Sequence, residues 1–213
     1  MEGILDLLNS PIGKTIISGV AGSTGQDSNK TGSVLTMALP VLMKAMERNA
    51  ATPQGAEGLM GALSKHDGGI LDNLGDLFSG GVNKEVVDDG DKILGHILGS
   101  KQQGVQQVIG QKAGMDTGAV ADILKTAAPI LMGVLGKQSR QNGISNAGGL
   151  GDLLGGMLGG SKTKNEQSFL EKILDADGDG SIIDDVAGMV LGGSQKKSGG
   201  LLGGLLGGLF GKK

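Results

Sequence analysis

Ten residues of this chain recur 89 positions on. Residues 34–43 read VLTMALPVLM and residues 123–132 read ILKTAAPILM, with Pro40 matched to Pro129. The same offset sets Ile4-Leu5 on Ile93-Leu94. Further on, Gly-Ile-Leu-Asp-Asn-Leu at 69–74 resembles Gly-Leu-Gly-Asp-Leu-Leu at 149–154, now 80 positions away. A shorter second connection accounts for the change in offset. Such self-similarity marks a duplicated supersecondary unit whose copies pack on each other. Two copies are too few for a solenoid, so the expectation is one joint bundle.

The long segment of each copy reads as a buried helix. In the first, Thr31 or Ser33 can cap, and Val34, Leu35, Met37, Leu39, Val41, Leu42, Met43 and Met46 follow. Apolar residues nearly all round a helix belong to a core rather than a surface. In the second, Asp116 or Thr117 can cap the run Val120, Ile123, Leu124, Ile130, Leu131, Val134 and Leu135. Pro40 and Pro129 each remove one backbone donor inside these helices and predict a bend. Shorter helices are predicted over 3–9, 12–21, 55–64 and 69–78 in the first copy. In the second they fall over 91–98, 102–112 and 148–158. The methionines, including Met60, read as core at helical spacing, ahead of a soft binding groove.

Composition narrows the function classes. Glycine supplies 43 of 213 residues, about three times average usage, so helices should be short and often broken. There is no Trp or Tyr, and Phe78, Phe169 and Phe210 are the only aromatics. Recognition of bases by stacking has almost nothing to work with. A net charge of −3 with scattered Lys and Arg supplies no basic face for nucleic acid. The absence of Cys excludes disulfides and thiolate metal sites. The start, Met1-Glu-Gly-Ile-Leu-Asp, is acidic where a signal peptide is basic. No apolar run approaches the ~20 residues of a membrane helix. A soluble, cytoplasmic protein is expected.

The chain resembles the YidB-like bacterial family of unknown function. The resemblance rests on the Ala-Leu-Pro-Val-Leu-Met and Ala-Pro-Ile-Leu-Met helices, the Gly-Leu-Leu-Gly-Gly-type segments and Asp-Lys-Ile-Leu-Gly-His-Ile-Leu at 91–98. It covers residues 1–160, implies an all-helical fold, and supplies no catalytic residues.

One segment states a chemistry. Residues 175–185 read DADGDGSIIDD. Asp175, Asp177 and Asp179 occupy positions 1, 3 and 5 of an EF-hand loop, where side-chain oxygens bind. Gly180 fits the sharp turn, Ser181 would give its carbonyl, and Ile182 fits the apolar anchor. The closing acid of position 12 is missing, because that residue is Val186. Asp184 and Asp185 come one or two residues early, as in shortened EF-hand-like or dockerin-like loops. An all-oxygen, flexible ligand set prefers Ca²⁺ to Zn²⁺ or Cu²⁺. Flanking apolar faces at 166–174 and 183–191 predict a helix–loop–helix. The competing reading is a solvated acidic turn with helix-capping aspartates. Asp88-Asp-Gly-Asp91 lacks the alternation and reads as a linker and N-cap.

Other motifs fail. Gly13-Lys14-Thr15 and Asn29-Lys30-Thr31 lack the first or second glycine of a phosphate loop, and neither follows a strand. His66 and His96 are the only histidines, and His96 reads as partly buried packing. The tail, GGLLGGLLGGLFG at 199–211 before Lys212 and Lys213, repeats every four residues. It spans about 20 Å as a helix, too short for a bilayer. Its uses are docking on the protein's own core, self-association or a membrane interface, set against a weakly ordered tail.

The expectation is therefore an all-α protein: helical unit 1 at 1–82, unit 2 at 83–160, an EF-hand-like helix–loop–helix at 165–192, and a Gly/Leu tail at 193–213. It is expected to be non-enzymatic, to bind Ca²⁺ through Asp175, Asp177, Asp179, Ser181, Asp184 and Asp185, and to associate with a protein partner or with itself. The alternatives are a small-ligand or enzymatic cleft between the two copies, and membrane-surface contact through the tail.

Overall fold

Helix ends in this chain are set by short polar signals. Ser10, Asp27, Thr52, Asn83 and Asp116 each accept a backbone N–H of the first turn that follows, which satisfies one donor the helix itself leaves free. Pro11 and Pro53 occupy first helical positions, where no N–H is needed. The computed structural model describes residues 3–159. They form α1 (Ile4–Asn9), α2 (Pro11–Thr24), α3 (Ser28–Ala50), α4 (Pro53–Lys65), α5 (Gly69–Asp72), α6 (Leu74–Phe78), α7 (Lys84–Leu98), α8 (Gln102–Ala113), α9 (Thr117–Gln141) and α10 (Ala147–Gly159). The fold is all-α, with no strand among the described residues.

Positions 89 residues apart share local geometry. Gly25 and Gly114 are both left-handed, at φ 67° and 62°. Behind them Gln26 N–H donates to Ala21 O and Met115 N–H to Gly110 O, both at 2.9 Å. This is the Schellman closure, and only glycine adopts its turn residue without strain. Asp27 and Asp116 then cap the two long helices. The helix contacts are reciprocal as well. α2 lies on α3 and α9, and α8 lies on α9 and α3. α5 crosses to α9, and α10 crosses to α3.

One core results. Leu35, Leu42, Met43 and Met46 of α3 are almost fully buried, as are Ile123, Leu124, Ile130 and Leu135 of α9, and all belong to a single apolar cluster. Met43 and Met46 are thus core, while Met37 and Met60 pack against it from partly exposed positions. α9 is 25 residues long, and an 18-residue window of it has mean hydropathy 1.5. By length and composition it could cross a membrane, contrary to the expectation that no segment comes close. Here 72% of that window is buried inside the bundle, so the core accounts for its hydropathy.

Several boundaries differ from expectation. α3 begins at Ser28 under Asp27, three residues before Thr31. Thr31 is fully buried instead of capping. The segment 69–78 is broken at Asn73. Its two ends serve different targets: Ile70 packs against Gly133 of α9, and the Phe78 ring covers Gly19 of α2. α7 starts at Lys84 rather than 91, so Asp88-Asp-Gly-Asp91 lies inside a helix and Asn83 is the cap.

Thr31 carries a further consequence. Its Oγ1 is buried without a hydrogen-bond partner, and the position 89 residues on is the equally buried Val120. Valine has the same shape without the unmet hydroxyl. Thr31→Val is expected to stabilise the protein by about 1 kcal/mol, because an unsatisfied buried polar group costs on that order. Thermal denaturation followed by circular dichroism should show a rise of roughly 2–4 °C, and a fall would contradict the packing described.

Candidate functional site

The six residues expected to hold Ca²⁺, Asp175, Asp177, Asp179, Ser181, Asp184 and Asp185, lie outside the described residues, as do the helix–loop–helix at 165–192 and the tail at 193–213. Among the described residues no three His, Asp or Glu side chains come together as a metal site.

The acidic run on α7 shows why. Asp89 diverges from Asp88 and Asp91, because helical residues one or two apart do not share a face, and Asp88 and Asp91, three apart on one face, are drawn to different bases. Asp88 takes Lys84 of its own helix at 2.5 Å. Asp89 reaches α4, where its Oδ2 lies 2.8 Å from His66 Nε2. Asp91 turns to α9, 3.2 Å from Lys125 Nζ, and also accepts from Gln102 Nε2 at 3.3 Å. The hydrogen bond from Lys125 holds the Asp91 carboxyl below its ordinary pKa, despite some opposing desolvation. Gly90, between them, is buried against the Lys125 backbone.

Other polar bonds fasten the same junction. Asn49 of α3 donates from Nδ2 to the carbonyls of His96 and Ile97, at 3.3 and 3.2 Å. These are carbonyls that the end of α7 leaves open. His66 Nδ1 lies 2.9 Å from Ala62 O. Arg140, near the end of α9, donates to the Asp67 backbone carbonyl and lies 3.4 Å from its carboxylate. The Gly69 N–H first, and Arg140 second, lower the pKa of Asp67. Both lowered carboxylates favour the folded state at neutral pH. That contribution is lost as pH falls through their folded-state values. His96, expected to be partly buried, is exposed. Of the two histidines, His66 is the one held by partners on both ring nitrogens. Neither a serine nor a threonine hydroxyl is bonded to it, so the arrangement is a tie between helices.

The two rejected phosphate-loop motifs are helical first turns. Gly13-Lys14-Thr15 follows the Ser10 cap of α2, and Asn29-Lys30-Thr31 follows the Asp27 cap of α3. Gly13 is fixed by packing, since a Cβ there would lie 2.2 Å from Leu7 O of α1.

Where α1, α2 and α3 meet α9, a cavity of about 30 Å³ lies beneath α1. Ile4, Leu7 and Leu8 roof it, and Leu35, Leu39, Ile130 and Val134 are among its walls. Its lining holds no acid, base or nucleophile. A cavity of this kind suits hydrocarbon and offers nothing for acid–base work. No periodicity in the sequence marked it, because its residues come from four separate helices.

A family model described as a bacterial protein of unknown function (DUF937) matches residues 6–138 and 142–213. The match runs through the acidic loop and the tail, beyond the residues 1–160 that the YidB-like resemblance covers. No curated protein and no solved structure matches the chain. With nearly its whole length matched, the chain belongs to the DUF937 family of bacterial proteins of unknown function.

Proposed function

We propose that this protein is a non-catalytic Ca²⁺-binding protein, built on a duplicated helical unit and acting through association with a protein partner or with itself. One observation carries the calcium reading. Asp175, Asp177 and Asp179 alternate, and Gly180 and Ile182 follow at the offsets of an EF-hand loop. Asp184 and Asp185 would close the shell from early positions with monodentate oxygens. That predicts weaker binding than a closing bidentate Glu gives, and less discrimination against Mg²⁺. A lone loop of this kind acts as a structural clip more readily than as a sensor.

The matched turns and caps 89 residues apart, at Gly25 and Gly114 and at Asp27 and Asp116, support the duplication. So does the reciprocal packing of α2 and α8 on both long helices. The cavity beneath α1 supplies no polar group that could act on a substrate, which fits the non-catalytic reading for that part of the fold.

Isothermal titration of the full chain with CaCl₂ tests the reading. The wild type is expected to release or absorb heat with one-to-one stoichiometry, and Asp175→Ala/Asp179→Ala is expected to give none. Identical heats from the two proteins, or no heat from the wild type, would refute it.

A further inference from the structure

The break at Asn73 divides a motif that its later copy keeps whole. Residues 69–74 resemble 149–154. Over the second, α10 runs unbroken and buries Leu150, Leu153, Leu154 and Met157. In the first, α5 and α6 have four and five residues, and neither begins on a side-chain cap. Leu74 is their one buried residue. Ile70, Leu71, Leu77 and Phe78 are only partly covered. Short helices with so little buried surface are where a fold opens first.

The segment hangs between two fixed posts. Before it, Arg140 of α9 holds Asp67, and Asp89 of α7 holds His66. After it, Asn83 caps α7, which Lys125 and Asn49 fasten to α9 and α3. Glycines stand just inside both posts. Gly68 has φ 96°, and Gly80 and Gly81 have φ 91° and 92°, with open space beside the last two. Such residues turn without hindrance from a side chain. Among the described residues, the polar tie from 69–79 to another helix is Lys137–Asp72 at 3.5 Å, an exposed pair. The other contacts are apolar side chains resting on glycines: Ile70 on Gly133 of α9 and Phe78 on Gly19 of α2.

Leu74, Gly75 and Phe78 also form one wall of an open groove of about 580 Å³. The facing wall is α2, with Lys14, Thr15, Ser18, Gly22 and Ser23. We propose that residues 69–79 are a strap that swings away from α2 and α9 as one unit while the rest of the bundle stays folded. Opening about Gly68 and Gly80-Gly81 removes that wall of the groove and bares Gly19 and Gly133. The strap therefore governs access to this side of the bundle. The inference does not depend on the calcium reading or on association.

Native-state hydrogen exchange on the full-length wild type, in sub-denaturing urea, tests the strap. The amides of residues 70–78 are expected to exchange about tenfold faster than those of 150–157. Urea should hardly change their rate, since a local opening exposes little surface. A urea dependence equal to that of α3 and α9 would show that the segment opens only with the whole fold, and would overturn the proposal. A reversible lock gives a second reading. Ile70 Cγ2 lies 2.6 Å from where a Cβ on Gly133 would stand, and the chain has no cysteine of its own. Ile70→Cys/Gly133→Cys thus places one pair within disulfide reach. Oxidation is expected to slow exchange at 74–78 roughly tenfold relative to the same protein reduced, with 150–157 unchanged. Equal exchange at 74–78 in the two forms would likewise overturn it.

Discussion

Replacing Gly90 by alanine is expected to destabilise the protein by about 2 kcal/mol, although alanine is the better helix former by about 1 kcal/mol. A Cβ at Gly90 would sit 1.8 Å from the Lys125 carbonyl oxygen and 2.7 Å from its carbon. Those atoms are backbone inside α9 and have no rotamer by which to escape. α7 must move off α9, and overpacking of this kind costs on the order of 1–3 kcal/mol or more. The move also stretches the Lys125–Asp91 pair at 3.2 Å and the Asn49 cap on the end of α7. Gly95→Ala is the control in the same helix. Its Cβ would meet only the Gln102 side chain, at 3.8 Å, so it should stabilise by roughly 0.5–1 kcal/mol. Thermal denaturation should show Gly90→Ala lowering the melting temperature by about 4–8 °C and Gly95→Ala raising it. Shifts of the same sign in both would refute the close approach of α7 and α9.

Leu124→Ala and Leu35→Ala should each cost about 2–5 kcal/mol, the range for deleting a buried leucine side chain. Leu124 is 0% exposed in α9, and Leu35, its counterpart 89 residues earlier, is 1% exposed in α3. Both face a cluster that draws on the two halves of the chain at once. The loss should therefore appear as one cooperative transition displaced as a whole, by roughly 5–15 °C, whichever half carries the change. Against a total stability of about 5–15 kcal/mol, the double variant is expected to be largely unfolded at 37 °C. Two separate transitions, with only one shifted by Leu124→Ala, would show that the halves fold independently.

The helices were legible because their signals are local. Asp116 acts within four residues, so the chain text suffices to place it. Asp27 was legible in principle as well: it stands 89 residues before Asp116, yet the apolar run beginning at Val34 drew the cap to Thr31 or Ser33. Asp88–Asp91 misled in the other direction. A run of acids around a glycine looks like a linker until Lys84, His66 and Lys125 are seen to take one carboxylate each. The break at Asn73 was invisible for a similar reason, since Gly133 and Gly19, which receive Ile70 and Phe78, are distant in sequence.

The acidic loop at 175–185 lies outside the described residues, so its reading as a cation loop rests on the spacing of Asp175, Asp177 and Asp179 alone. The chain text also determined the all-α class and the two long Pro-bearing helices, because capping and apolar periodicity are short-range properties. Tertiary structure alone decided which glycines must stay glycine, which carboxylate meets which base, and where the core leaves a small cavity under α1. Those outcomes depend on atoms of different helices meeting at van der Waals distance, and such contacts are set by packing in three dimensions.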